Sequence, residues 1–217
     1  MNTHKFKYLM RALLCMVGFA LVFAAASAHA QFYLGASAGQ SKAGLNGGDI
    51  SSQLLDLGFS SPSVSLSDKT TSYGLKLGYQ FGPYVGVEGN YTDLGKYSYQ
   101  ANVSPAGSLN TELKVKGYGL DLVGTLPIFD KFSLLGRAGV QRMKTDGTFN
   151  GSGSIDLVTS SASQTSTAGK LGFGVQYDLS QNLGLRLEVE RFRKLGGNAL
   201  GSAFDADNYS IGILLKF

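Results

Sequence analysis

From residue 32 to residue 217 the chain repeatedly alternates large apolar side chains with small or polar ones at a period of two. That is the pattern of a strand whose two faces meet different surroundings. Eight such segments are predicted, at 32–41, 72–82, 84–94, 114–126, 131–143, 167–178, 183–193 and 208–217. In the second, Tyr73, Leu75, Leu77, Tyr79 and Phe81 share one face, and Gly74, Lys76, Gly78 and Gln80 the other. The sixth sets Leu171, Phe173, Val175 and Tyr177 against Lys170, Gly172, Gly174 and Gln176. The last sets Tyr209, Ile211, Ile213, Leu215 and Phe217 against Ser210, Gly212, Leu214 and Lys216. No helical pattern of any length competes, and residues 49–58 (DISSQLLDLG) are expected to form a short loop helix only.

The connections decide the topology. Three are tight: Gly82-Pro83, Pro127 to Asp130, and Leu179 to Asn182. Four are long and rich in Ser, Gly, Asn and Thr, at roughly 42–71, 95–113, 144–166 and 194–207. Long and short alternate strictly, which puts every long loop at one end of an antiparallel up-and-down barrel. A soluble barrel has no need of this, whereas outer-membrane barrels have short periplasmic turns and long external loops. The faces agree. Bulky side chains suit lipid, while Gly, Ser, Gln and isolated charges suit the narrow interior of eight strands. The fold class predicted is therefore all-β, an eight-stranded antiparallel up-and-down transmembrane β-barrel. The aromatics group accordingly, with Phe32, Phe81, Tyr84, Phe129, Phe132, Tyr177 and Phe217 near the tight turns or the chain termini. Tyr73, Tyr91, Tyr97, Tyr99 and Tyr209 lie near the long-loop ends, giving two interfacial girdles.

Residues 1–30 read as a cleaved export signal. Lys5, Lys7 and Arg11 precede an uncharged apolar run from Ala12 to Ala26, and Ala28-His29-Ala30 puts small residues at −3 and −1, so cleavage is predicted between Ala30 and Gln31. The run is short for a spanning helix, which needs about twenty residues. Lipidation at Cys15 is not expected, because Leu14 stands where a small residue would be needed. Residues 31–217 then form one barrel domain. Nineteen Lys and Arg, less three in the leader, leave sixteen against fifteen Asp and Glu. The basic balance is thus largely the leader's, and no nucleic-acid partner is implied.

Several segments resemble a known family. GVEGNYTDLG (86–95), GTLPIFDKFSLLGRAGVQRMKTD (124–146), GVQYDLSQNLGLRLEVERFRKLGG (174–197) and the ending YSIGILLKF are similar to the transmembrane domain of outer membrane protein A and its relatives. The resemblance covers essentially all of residues 31–217 and implies an integral protein of a Gram-negative-type outer membrane, with extracellular loops; because the chain stops at its eighth strand, the peptidoglycan-binding domain of many relatives is not expected. Phe217 resembles the terminal signal read by the barrel assembly machinery, so that machinery and periplasmic chaperones are expected partners during export, with outer-membrane lipid and lipopolysaccharide around the finished barrel. The family's luminal ion pair falls on Glu88 and Arg186. Its second pair, lysine with glutamate, falls on Val123 and Gln176, which leaves Glu88 without an alternative cation.

Parity alone assigns the interior: Lys76, Arg137, Lys170, Arg186 and Lys216 face inward with Glu88, Asp121, Glu188 and Glu190. Charges in a narrow lumen are costly unless paired, so a structural, salt-bridged plug is expected. Residues 31–217 contain no His, Cys or Trp. No enzyme is expected without a general base, no metal site without His, Cys or a carboxylate cluster, and no cofactor. Asn150-Gly151-Ser152 is too short a pattern to read as a glycosylation acceptor, and Asp205 with Asp207 is far from a calcium ligand set. The expected function is a structural and surface-interaction role, the extracellular ligand being unidentified, with a narrow low-conductance ion pore as the alternative. A nutrient porin is excluded by size.

Overall fold

The computed structural model describes residues 31–44, 47–56, 60–104, 107–153, 160–197 and 203–217. Residues 1–30, and with them the predicted export signal and Ala30 of the predicted cleavage site, lie outside them. The described chain runs β1 (Gln31–Ala43), α1 (Gly47–Asp56), β2 (Ser60–Ser67), β3 (Lys69–Gln80), β4 (Val85–Ser104), β5 (Gly107–Phe129), β6 (Phe132–Gly153), β7 (Ser160–Asp178), β8 (Leu183–Gly196) and β9 (Ala203–Lys216). Consecutive strands from β3 to β9 pair antiparallel, β1 pairs β3, and β9 returns to β1 from Tyr33↔Lys216 to Ala43↔Ala206. Eight strands thus close a ring. β2 prolongs the line of β3 past Asp68 and pairs the far half of β4, from Ser67↔Ser98 to Ser60↔Ser104.

The predicted faces are the observed ones. Large apolar residues of alternate parity stand out from the ring, among them Leu75, Leu120, Phe173 and Ile211, each more than half exposed. On β5 this outward set runs from Tyr118 to Ile128. At about 3.4 Å per residue and a tilt near 40° it covers about 26 Å of height, close to the apolar band of a membrane barrel. Above it, toward the long connections, the outward positions turn charged: Lys42, Lys116, Arg142, Arg191 and Asp207.

Two expectations need correcting. Much of what reads as loop is strand. The β4–β5 ladder continues to Val103↔Gly107 and the β6–β7 ladder to Phe149↔Ser160. The upper β6–β7 stretch is largely polar on both faces, and in upper β4 the alternation of Tyr97, Tyr99, Ala101 and Val103 is out of step with the segment before it, but backbone groups pair across the hairpins whatever the side chains are. The short helix is present at 47–56. The second correction is Tyr97, assigned to the girdle by position. It is fully buried inside the ring. The cause is a β-bulge between Asp93 and Gly95 that places one extra residue in β4 and flips the parity beyond it. Gly95 adopts φ +87°, the left-handed conformation that such a bulge requires. A second bulge, between Phe192 and Leu195 with Lys194 at φ 63°, turns Leu195 inward in the same way.

Candidate functional site

The bore is filled in two tiers. At its centre, eight of the nine predicted luminal side chains meet. Glu88 of β4 is fully buried and accepts a hydrogen bond from the Tyr33 hydroxyl at 2.6 Å. It pairs with Arg186 of β8 and lies 3.0 Å from Arg137 Nη1 of β6. Arg137 also reaches Glu188, Glu190 at 3.1 Å and Asp121 at 3.5 Å. Lys76 pairs with Glu188 and stands 3.7 Å from Glu190. Lys170 pairs with Asp121 at 2.6 Å and Glu190 at 3.3 Å, with its ammonium 5.5 Å from the Phe192 ring centre. Lys76, Arg137, Lys170 and Arg186 balance Glu88, Asp121, Glu188 and Glu190, so the cluster is neutral as a whole and no member has a single private partner.

Lys216 is the exception. It faces inward at the turn end but pairs with Asp178 at 2.6 Å, both partly exposed, apart from the main cluster. Five predicted cations against four acids therefore resolve into a four-by-four network and one separate pair.

Arg137 also corrects the reading of Val123. Val123 is buried and inward as expected, but Arg137 stands opposite it in register on the next strand. Glu88 therefore has a second cation, delivered from β6 in place of the missing lysine on β5. Gln176 takes a neutral role: its carbonyl accepts from Arg186 at 3.0 Å while its amide donates to Asp178 at 2.9 Å.

Neutral side chains complete the network. Asn90 and Gln141 donate to Asp121 at 3.1 and 2.9 Å, and Asn208 donates to Glu190 at 3.1 Å while accepting from Ser72 at 2.6 Å. Tyr33 lies across Gly78, where a β-carbon would collide with its ring, so glycine there makes room for the Tyr33–Glu88 bond. The strand alternation places all of these inward, but nothing in the sequence distinguishes them from ordinary strand polar residues.

The second tier was not anticipated. Toward the long connections, Leu94, Tyr97, Leu113, Val115, Met143, Phe192 and Leu195 form a buried apolar cap across the bore, with Phe204 packed against it. Tyr97, within the cap, shares a 2.5 Å hydrogen bond with Ser41. At the other end a polar vestibule of about 290 Å³ leads in past Gln31, Gln80 and Ser133 to Arg186. Asp205 and Asp207, too few for a calcium ligand set, face arginines on the outer surface. Asp207 binds Arg191 at 2.6 and 2.8 Å, and Asp205 lies 3.9 Å from Arg193. No group of three His, Cys, Asp or Glu suited to a metal ion occurs among the described residues.

Residues 12–217 match the outer membrane protein beta-barrel domain. The chain belongs to this family. It is 27% identical over 203 residues to outer membrane protein A of Shigella flexneri, and 28% over 205 residues to that of Escherichia fergusonii. In each case 93% of this chain aligns with 53% of the relative, so it spans about half the length of the curated relatives it matches. Among solved structures, Neisserial surface protein A superposes with a TM-score of 0.56 at 18% identity, covering 86% of this chain and 97% of that one, a likeness of fold. This member of the outer membrane protein β-barrel family is an integral outer-membrane protein.

Proposed function

We propose that this barrel is a closed, non-catalytic outer-membrane scaffold that anchors polar hairpins at the cell surface, where they serve structural and surface-interaction roles. The observation that carries the reading is the doubly filled bore, with a neutral network of eight charges beneath a buried apolar cap. An ion entering from the turn end would have to displace a paired charge and then cross Leu94, Met143 and Phe192 without water. The absence of His and Cys from residues 31–217 removes the usual general base or thiol nucleophile, which supports a non-catalytic role. Tight turns at one end and tall hairpins at the other fit turns in the periplasm and hairpins outside. Lipopolysaccharide around the barrel, and the assembly machinery with periplasmic chaperones during export, are the partners this reading requires.

A narrow ion path is the second reading, favoured by the polar vestibule that already reaches Arg186. The test is single-channel recording of the purified, folded protein in planar bilayers. The closed scaffold gives no stepwise conductance. A reproducible open level in the wild-type protein would replace it with the pore.

A further inference from the structure

The β-bulge between Phe192 and Leu195 leaves its mark on the neighbouring strand. β7 and β8 pair from Asp178↔Gly184 up to Gly169↔Arg193, and there their ladder ends, at the foot of the bulge. Beyond it the tip of β8 turns in over the bore, with Leu195 and Gly196 buried. β7 itself continues along β6 as far as Phe149↔Ser160. Residues 160–168 are therefore paired along one side only, and among the described residues no strand pairs with the other side. Across the gap the two strands meet through a side chain: a β-carbon at Gly197 would lie 3.1 Å from the Gln164 amide nitrogen. At about 3.4 Å per residue this open edge is about 30 Å long.

Open edges are ordinarily blunted by charge, proline, irregularity or a covering element. The other edge of the tall sheet follows that rule. β2 contains Pro62, which has no N–H to offer, shifts register between Ser60 and Ser63, and has α1 packed against it. The β7 edge has none of these. It reads SSASQTSTA, without charge or proline, and keeps one unbroken register with β6. Ser161, Ser163, Thr165 and Thr167 are exposed on the outer face, with Ala162, Gln164 and Ser166 half-buried on the inner one. Hydroxyls opposite hydroxyls are favourable cross-strand pairs, so Ser and Thr suit the outer row of an added strand. At the foot of the edge Arg193 is exposed, with its acid Asp205 as far as 3.9 Å away.

A second copy of the chain does not fit this edge. Neighbours in one membrane are related by rotation about its normal, and a twofold axis there makes strands tilted near 40° cross at about 80°. Hydrogen-bonded strands differ in direction by only about 20–25°, so the occupant must be free to choose its own direction. We propose that the upper edge of β7, residues 160–168, is a strand-addition site for another polypeptide. That partner supplies an extended, otherwise uncharged segment rich in Ser, Thr and β-branched residues, running antiparallel to β7 with an acid at its first position, beside Arg193. This names the partner class for the surface-interaction role proposed above and rests on the hairpins facing the exterior.

The test titrates a fluorescently labelled peptide, ETVTSTVTS, against the detergent-folded protein and reads fluorescence polarisation, with hydrogen–deuterium exchange mass spectrometry locating the complex. Saturable binding is expected, with slowed exchange in fragments covering 160–168 and unchanged exchange in those covering the β2 edge at 60–67. An added strand uses alternate backbone amides, so N-methylation separates it from adhesion by side chains. Methylating two N–H groups of the parity that faces β7 should weaken binding about twenty-five-fold, at about fivefold per hydrogen bond. Methylating two of the other parity should change it by less than about twofold. Arg193→Gln, its fold confirmed by unboiled gel mobility, should weaken the acidic peptide about threefold and leave the QTVTSTVTS version unchanged. Absence of saturable binding, equal losses from the two methylated peptides, or protection on β2 in place of β7 would overturn the site. An effect of Arg193→Gln equal for both peptides would overturn the assigned direction. Orientation is read separately, by labelling Ser152→Cys in intact cells with a membrane-impermeant maleimide. Failure to label would refute the outward orientation without touching the binding result.

Discussion

Glu88→Gln is the sharpest probe of the lumen. The substitution keeps the shape and an acceptor for the Tyr33 hydroxyl, and removes one negative charge from a balanced set of eight. Arg186 and Arg137 both lose a partner at a fully buried position. Breaking a buried ion pair from one side costs about 3–5 kcal/mol, because the opposite charge stays buried without compensation. Arg186 retains Gln176 at 3.0 Å, and Arg137 retains Glu188 and Glu190, so the loss should sit at the low end, about 3 kcal/mol. Adding Arg137→Met restores a three-by-three balance and should recover about 1–2 kcal/mol of that loss. Lys216→Gln, which breaks the partly exposed pair with Asp178, should cost no more than about 1 kcal/mol. Reversible guanidinium unfolding in lipid vesicles measures all three, with the folded fraction read from the mobility of unboiled samples. Equal, small effects of Glu88→Gln and Lys216→Gln would refute the idea that the central network holds the barrel together.

The cap makes its own forecasts. Met143→Ala should cost about 2–5 kcal/mol in the same unfolding assay, the usual range for a large side chain lost from a packed core. Glu88→Ala alone should leave planar bilayers silent, and conductance should appear only when it is combined with Leu94→Ala and Phe192→Ala; a conducting Glu88→Ala single variant would show that the cap does not seal. Gly95→Ala forces a β-carbon into the left-handed bulge against Thr70 and should cost about 1–3 kcal/mol by the same gel readout. Phe217 donates its backbone N–H to Phe32 at 2.8 Å, and deleting it should lower the level of assembled protein in outer-membrane fractions, quantified by immunoblot. Mass spectrometry of protein purified from those fractions should find a chain beginning at Gln31, whereas a chain retaining residues 1–30 would contradict the export reading.

The barrel was legible because its two faces differ in kind. Tyr73, Leu75 and Leu77 against Gly74, Lys76 and Gly78 is a contrast that only a strand between lipid and a crowded bore requires, and the same parity put the eight charges of the central network on one face, though it did not pick out Asp178 as the partner of Lys216. What it could not carry is register. Glu88 meets Arg137 through the stagger of non-neighbouring strands, which no single segment records. Nor could it see past an irregularity. One extra residue at Leu94 reverses the alternation, so Tyr97 reads as a lipid-facing aromatic and the cap to which it belongs vanishes from the pattern. The polar upper hairpins escaped for a third reason. Their ladders are held by backbone groups, and on β6 and β7 Ser, Gly, Asn and Thr on both faces leave little periodic trace.

Closure of β1 against β9 has a consequence for the order of assembly. The luminal pairs join residues far apart in sequence, with Lys76 and Glu188 separated by 112 positions and Glu88 and Arg186 by 98. Contacts of this kind form late, since the intervening chain must first be gathered. Until then the first half of the barrel carries Lys76, Glu88 and Asp121 with a surplus negative charge, and the second half carries Arg137, Lys170, Arg186, Glu188 and Glu190 with a surplus positive one. Each half alone would expose an unbalanced, water-seeking surface to the bilayer. The two attract one another, and only their union gives a neutral interior. A partly closed or misregistered sheet would leave these charges without their partners, and closure of the last strand on the first brings the pairs together.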